Sequence, residues 1–461
     1  MLRLRFDTRD RLSIGPPFRA SFIAYRSRHA NYMVMIPVKY LSFYTSASPI
    51  HTEQTMHTIL VVGSGFAGMW TALSATRLID QTKPANIQVI VVSPEPTCVI
   101  RPRLYEPDAD DMHVSLQDLF HATDIQYIRG RVETINPDQK QVTIQHADTQ
   151  TSQAYDRLVL AAGSQLKRPD IPGLQEHAYS IDQRHDAAIL ETHLRSLAAQ
   201  PSSPARNTVV VAGGGFTGIE IAAELPSRLR SLLGPDEDIR VVVVEQAPEI
   251  GPELGPGPRP VILEALTALG VVCKSGAALT SVDETGVVTS RDAERIDAWT
   301  TIWTGGMQAS TLTRHIPGER DRLGRLRVDS DLRVVSPSPP VRDIFVTGDA
   351  AWASTDDLGN HALMSCQHAI PLGRFAGHNA AASLLGLASK PYAQPAYVTC
   401  LDLGPWGAVV TRGWDRQVSM KGPEAKRVKR NINQVVIYPP RADRAEAFWA
   451  ADPDTTGPRL D

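Results

Sequence analysis

A short apolar run, three glycines at fixed spacing and then a helical stretch occur in that order twice within 461 residues. The first copy runs through Thr58 to Val62, then GSGFAG from Gly63 to Gly68, then MWTALSATRL. The second runs through Thr208 to Val211, then GGGFTG from Gly213 to Gly218, then IEIAAELPSRL. A strand, a glycine turn and a helix in this order make a cradle for the diphosphate of a dinucleotide. The first glycine permits the tight turn, the second lets backbone approach the phosphates, and the third lets helix pack on strand, so that free amides and the positive helix end face the anion. Gly63, Gly65 and Gly68 would do this in the first copy, with Ser64, Phe66 and Ala67 lining the turn. Gly213, Gly215 and Gly218 would do it in the second, with Phe216 and Thr217. At ordinary glycine frequency the bare pattern arises by accident roughly 0.15 times in such a chain. Two copies, each between a strand and a helix, are therefore not chance.

Each such unit should end its second strand on a carboxylate that binds the adenosine ribose. IRVVVVEQ supplies Glu245 in the second unit, and its charge would repel a 2′-phosphate, so NADH is expected there rather than NADPH. In the first unit IQVIVVSPE has Ser93 at that position and Glu95 two residues on. Either could touch the ribose; alternatively Glu95 is a solvated loop residue, with backbone and water holding the sugar.

RDIFVTGDA, at Arg342 to Ala350, is an apolar strand ending in Gly348 and Asp349. Asp349 is either a turn aspartate or an acceptor for a flavin's ribityl hydroxyls. The paired cradles favour the second. With VVGSGFAG, YDRLVLAAGS, VVVAGGGFTGIEIAAEL, TIWTGG and SCQHAIPLGRFAGHN, the stretch from about Thr58 to Tyr438 resembles the two-dinucleotide flavoproteins of the pyridine-nucleotide oxidoreductase superfamily. It is most similar to type II NADH dehydrogenases. The resemblance implies FAD in the first unit and NADH in the second. It places Ala162 and Gly163 where the chain passes the flavin nucleotide, Gly305 and Gly306 where the chain returns from the NADH unit, and Asp349 on the ribityl chain. Gln367 would lie under the isoalloxazine at the acceptor site, and Glu220 would point toward the nicotinamide. Glu220 also reads as an early-helix acid favoured by the macrodipole.

Two departures matter. The family's quinone-site pattern has glutamines four residues apart, and here Pro371 follows Gln367 at that spacing. Disulfide reductases of this kind carry a cysteine pair beside the flavin, whereas this chain offers only Cys98 in that region, as a packed or idle thiol. Cys98, Cys273, Cys366 and Cys400 form no C-x-x-C pair, which fits a reducing compartment. His361, Cys366, His368 and His378 lack the paired spacing of zinc ligands, and no metal is expected.

A net charge of −3 gives no reason to expect nucleic acid. No run reaches the roughly 18 to 20 apolar residues of a membrane span. Any membrane contact is therefore peripheral, at the inner face of a cytoplasmic protein's membrane. KGPEAKRVKRNINQVVIYPP, with Lys426, Arg427, Lys429 and Arg430 beside Val428, Ile432, Val435 and Val436, has the basic and apolar faces of a segment that rests on anionic lipid. It equally fits a solvated helix or a strand. Residues 1–55 read either as an Arg-rich transit peptide, despite Asp7 and Asp10, or as a disordered extension with the working start at Met56.

The expected architecture is α/β: two Rossmann-like domains arranged as in glutathione reductase, and a small C-terminal domain. An FAD-binding domain would use residues 56–175 and 301–387, an NADH-binding domain 176–300, and a capping or interface domain 388–461, ending in a polar tail, with a homodimer left open. The implied reaction is NADH oxidation through FAD to a quinone. Rivals are reduction of a ferredoxin-type protein, reduction of a soluble small molecule, and an NADH sensor without turnover.

Overall fold

Residues 55–84, 86–337 and 341–455 are described by the computed structural model. The N-terminal extension before Thr55 and the last residues, 456–461, lie outside the described residues. Two parallel five-stranded sheets organise the chain. The first has the order Ile344–Val346, Arg157–Leu160, His57–Val62, Ile87–Ser93 and Gln126–Arg129. Its central residues Ile59, Leu60, Val61, Val91, Leu158 and Val159 are sealed from solvent. These strands read as unbroken apolar runs because helices and loops cover both faces of a parallel sheet.

The helix Phe66–Thr82 follows the first strand and packs along Cys366–Leu385. The two cross closely because small residues meet backbone: a Cβ on Gly373 would stand 2.5 Å from the Ala67 carbonyl oxygen, and one on Gly377 would collide with that of Thr71. Arg374 lies over the Trp70 ring, 4.3 Å from its centroid.

The second sheet has the order Ala178–Tyr179, Thr300–Trp303, Thr208–Ala212, Arg240–Glu245 and Val271–Ser275. The chain leaves it only after Trp303. Two short crossing strands, Ser164–Leu166 and Met307–Ala309, pair antiparallel where the chain enters and leaves. The architecture is thus the expected α/β type with two dinucleotide-type units, and each glycine turn sits at the carboxyl edge of its sheet, where strand order reverses.

Beyond these lie the antiparallel strands Val398–Asp402, Ala408–Arg412 and Gln417–Gly422 and the helix Pro423–Asn431. The structure corrects the basic face read from the sequence. Arg427 and Arg430 are exposed, but Lys429 is buried and Lys426 points inward to Asp402 and Glu224. The expected polar tail also begins as an anchored segment: Asp452 pairs with Arg77, Asp454 with Lys390, and the Thr455 carbonyl accepts from Arg374. Among the described residues no helix is long and apolar enough to cross a membrane.

Candidate active site

At the first cradle Gly63 has φ +108°, and the turn is as tight as the glycines suggested: a Cβ on Gly63 would strike the Ala161 carbonyl oxygen, and one on Gly68 that of Gly63. Gly65 is different. Among the described residues a Cβ there would meet nothing within 4 Å, so the space beside this glycine is open. Ser64 braces the turn by donating to the carbonyls of Glu95 (3.1 Å) and Thr97 (2.8 Å). Ser93 is buried and its hydroxyl donates to the Glu95 carbonyl at 2.6 Å, while the Glu95 carboxylate reaches outward to Arg184 at 3.3 Å. In this arrangement it is the backbone of residue 95, more than its side chain, that both serines hold.

Gly348 has φ +62°, and a Cβ there would lie 2.6 Å from that of Ala67. The Gly-Asp turn therefore sits directly against the first cradle. Asp349 accepts from Ser164 Oγ at 2.6 Å, and Arg101 lies 3.5 Å from the same carboxylate oxygen. Arg101 also donates to Ser164 Oγ at 3.1 Å and pairs with Asp182, tying this group to the segment that enters the second unit. Gly163 (φ +66°) follows Ala162 beside Ser164, and its carbonyl accepts from Ser310. Among the described residues the buried hydroxyls of Thr347 and Ser365 have no partner. An open diphosphate cradle, an adjacent carboxylate and orphaned buried hydroxyls around it are the donor set that an adenine nucleotide with a polyhydroxy chain, such as FAD, would satisfy.

The second cradle repeats the geometry. Gly213 has φ +115°, and a Cβ on Gly218 would collide with the Gly213 carbonyl and stand 2.8 Å from Thr304 Oγ1. Glu245 ends the second strand, buried, and accepts from Gly214 N at 2.6 Å and Ala247 N at 2.7 Å. Thr217 is exposed at the mouth of the turn. Gly306 (φ +79°) and Gly305 turn the chain back out, and Trp303 donates to the Lys167 carbonyl across the crossing, at 2.9 Å.

Beside the helix of the second cradle lies a polar cluster inside the protein. Glu220, one turn into the helix Phe216–Leu233, is 2.8 Å from Lys429 Nζ and accepts from the Asp402 amide at 3.0 Å. Lys429 also donates to the Cys400 carbonyl (3.1 Å) and lies 5.7 Å from the Phe216 ring centroid. Lys426 links Asp402 (2.5 Å) to Glu224 (3.1 Å), and Tyr105 Oη donates to Asp402 at 3.1 Å. Three carboxylates thus face two ammonium groups. Burial, opposed by Lys429 and helped by Asp402, pushes the Glu220 carboxyl up to about 7. Burial works against the Lys429 ammonium too, but Glu220 and Cys400 hold its pKa above the ordinary value. Burial likewise pushes Cys366 up to about 11, with Lys429 opposing and Asp349 adding, so this thiol stands between the Glu220 cluster and the Asp349 group.

Gln367 follows Cys366 in the first turn of its helix. Its amide, oriented by its partners, donates to the Val398 carbonyl (2.6 Å) and accepts from the Val398 amide (3.2 Å). Pro371 has no N–H to give the Gln367 carbonyl, and Gln394 Nε2 donates there instead, at 3.3 Å. His368 is buried, stacked on Tyr397 and Trp414, and burial lowers its pKa to about 4. The four cysteines are free, and burial raises Cys98 to about 12, so neither it nor Cys366 is a thiolate near neutral pH. Among the described residues no group of three His, Cys, Asp or Glu could hold a metal ion.

Sequence reading had not singled out Arg101, Ser164, Tyr105, Asp402 or the role of Lys429 as a partner of Glu220. Ser164 closes the stretch YDRLVLAAGS, and Arg101 lies three residues after Cys98. Lys429 was hidden in a run of basic residues, and only the fold reveals which of them turns inward.

The pattern of the pyridine nucleotide-disulphide oxidoreductases matches residues 57–373. A NADH dehydrogenase-like protein of Mycobacterium tuberculosis is 42% identical over 403 residues, covering 86% of this chain and 98% of that one. A demethylphylloquinone reductase of Synechocystis is 27% identical over 387 residues, covering 81% and 90%. The structure of NDH2 from Plasmodium falciparum in complex with NADH superposes with a TM-score of 0.69 at 14% identity, over 86% of this chain and 97% of that one.

Proposed function

Because the chain belongs to the pyridine nucleotide-disulphide oxidoreductase family, an NADH oxidoreductase using FAD and NADH, we propose that its electron acceptor is a quinone and that Glu220 manages the proton of that reaction. FAD, when bound, supplies two-electron redox chemistry. The first cradle with Asp349, Ser164 and Arg101 would hold it, and the second cradle with Glu245 would hold NADH. NADH gives up a hydride, a quinone takes two electrons and two protons, and one proton per turnover must therefore come from the protein or solvent.

The observation that carries this reading is the buried Glu220–Lys429 pair, with Glu220 on the second cradle helix and its carboxyl pushed up by burial to about 7. A group poised at working pH is suited to proton transfer. Lys429 keeps the carboxylate form tolerable inside the protein, and Asp402 and Tyr105 fix the pair in place. The name of the Synechocystis relative, a demethylphylloquinone reductase, supports a quinone in this role. A soluble small-molecule acceptor is the second reading, favoured by Pro371 and by the engagement of the Gln367 amide with Val398. Peripheral membrane contact, in keeping with a quinone in the bilayer, would use the exposed Val435 and Trp449 with Arg427 and Arg430.

The test is anaerobic. NADH added to the yellow holoenzyme should bleach the flavin band, and a ubiquinone or menaquinone analogue should restore it. Restoration by ferricyanide or ferredoxin but by no quinone would sink the quinone assignment, and no bleaching at all would sink NADH as donor.

A further inference from the structure

The two cradles share a sequence pattern but not what faces them. The space over Gly65 is open, whereas a Cβ on Gly215 would stand 2.7 Å from Oε1 of Glu253. That same oxygen accepts from the Phe216 amide at 2.6 Å. Phe216 opens the helix Phe216–Leu233, and its N–H is the kind of free helix-start donor that receives a dinucleotide's diphosphate. An anion already stands on it.

We propose that Glu253 is a resident competitor of the dinucleotide at the second cradle: its carboxylate must leave the Phe216 amide before the diphosphate of NADH can enter, and it thereby sets the affinity for NADH. The inference rests on the reading that this cradle takes NADH. It concerns a different carboxylate from the ribose candidate Glu245, which is buried and held by the Gly214 and Ala247 amides.

The loop is built so that the side chain can go while the backbone stays. Glu253 is exposed, in the short turn Pro252–Leu254, but its neighbour Leu254 is 1% exposed and anchors the turn in the core. The Gly251 amide donates to the Gly214 carbonyl at 2.8 Å, which pins the loop to the cradle. Gly251 (φ +63°) and Gly255 (φ +74°) bracket the turn in conformations other residues resist. Among the described residues no cation pairs with Glu253, so the cradle amide is what retains it. One N–H cannot serve two anions, and a phosphate oxygen at hydrogen-bonding distance would fall within the volume of the carboxylate.

The test compares the holoenzyme with its E253Q and E253A variants in titrations with ADP-ribose, which carries the diphosphate but cannot reduce the flavin. Both variants should bind roughly threefold to tenfold more tightly than the parent, the range expected for a charge at a helix end. Adenosine, which lacks phosphate, should bind all three alike. A merely structural role in shaping the loop predicts the opposite sign, weaker binding in both variants. Equal or weaker ADP-ribose binding, in variants with the parent's circular dichroism and flavin content, overturns the proposal. So does a gain for adenosine as large as that for ADP-ribose. Failure of NADH to bleach the flavin strikes the donor assignment instead, and the ADP-ribose comparison still decides Glu253.

Discussion

Lys429 Nζ lies 2.8 Å from Glu220 Oε1, and the two side chains are only 6% and 5% exposed. A pair so enclosed is an expensive way to gain stability, because desolvation offsets most of its attraction. With Glu220 raised from 4.5 to about 7, the carboxyl is protonated below neutrality and ionised above it. If it donates the proton that the quinone needs, turnover should be flat below about pH 7 and fall roughly tenfold per unit above it. E220Q should abolish that inflection and lower the rate by roughly 10²-fold. K429M, which removes the opposing ammonium, should move the inflection to higher pH. A pH-rate profile of the three proteins checks this. The sign for stability is the same: the folded chain keeps a proton that the unfolded one has lost, so the contribution of Glu220 declines as pH rises from 4.5 through about 7.

The third glycines allow a matched pair of substitutions. G68A drives a methyl into the Gly63 carbonyl, and G218A drives one into that of Gly213. Each should cost about 1–3 kcal/mol of local strain. The first should give a protein deficient in flavin colour. The second should stay yellow while its KM for NADH rises about tenfold or more. Absorbance spectra and steady-state kinetics separate the two outcomes.

D349A removes the carboxylate that accepts from Ser164 Oγ and pairs with Arg101. FAD affinity should fall by about tenfold or more, roughly 1.4 kcal/mol for each factor of ten. Reconstitution of the apoprotein with FAD, followed by flavin fluorescence, measures the loss. Equal affinities in the parent and D349A would remove Asp349 from the flavin site.

Glu245→Ser takes away the charge expected to repel a 2′-phosphate, along with two bonds to backbone amides. The ratio of kcat/KM for NADH to that for NADPH should drop by about tenfold, since specificity is a difference of two affinities.

Contact with anionic lipid through Arg427, Arg430, Val435 and Trp449 should appear as co-sedimentation with phosphatidylglycerol vesicles at low salt that weakens at high salt. Absence of binding at low salt would remove the membrane from the account.

The cradles were legible in the sequence because everything that makes them is local: a strand, a turn too tight for side chains, a helix start. The position of Glu245 at the end of its strand was legible for the same reason, standing after an unbroken run of valines. The Glu220 cluster was not, because it draws Tyr105, Asp402, Lys426 and Lys429 from three distant segments, and no periodicity within one segment reports a partner in another. The basic stretch near the C-terminus misled for a related reason. Counted along a helix, Lys426 and Lys429 share a charged face with Arg427 and Arg430, but the acids they meet make part of that face interior. Ser93 and Glu95 show a third limit, since a side chain's type does not reveal whether a carbonyl nearby already occupies it.

The first sheet borrows its edge strand, Ile344–Val346, from beyond the whole of the second. On the ribosome the inner sheet has all its strands once Trp303 has emerged, while the outer one must wait with an open flank until Val346 follows. Biogenesis should therefore run from the inside outward. The unfinished flank is a pairing edge left exposed for the time that synthesis takes to cross that gap.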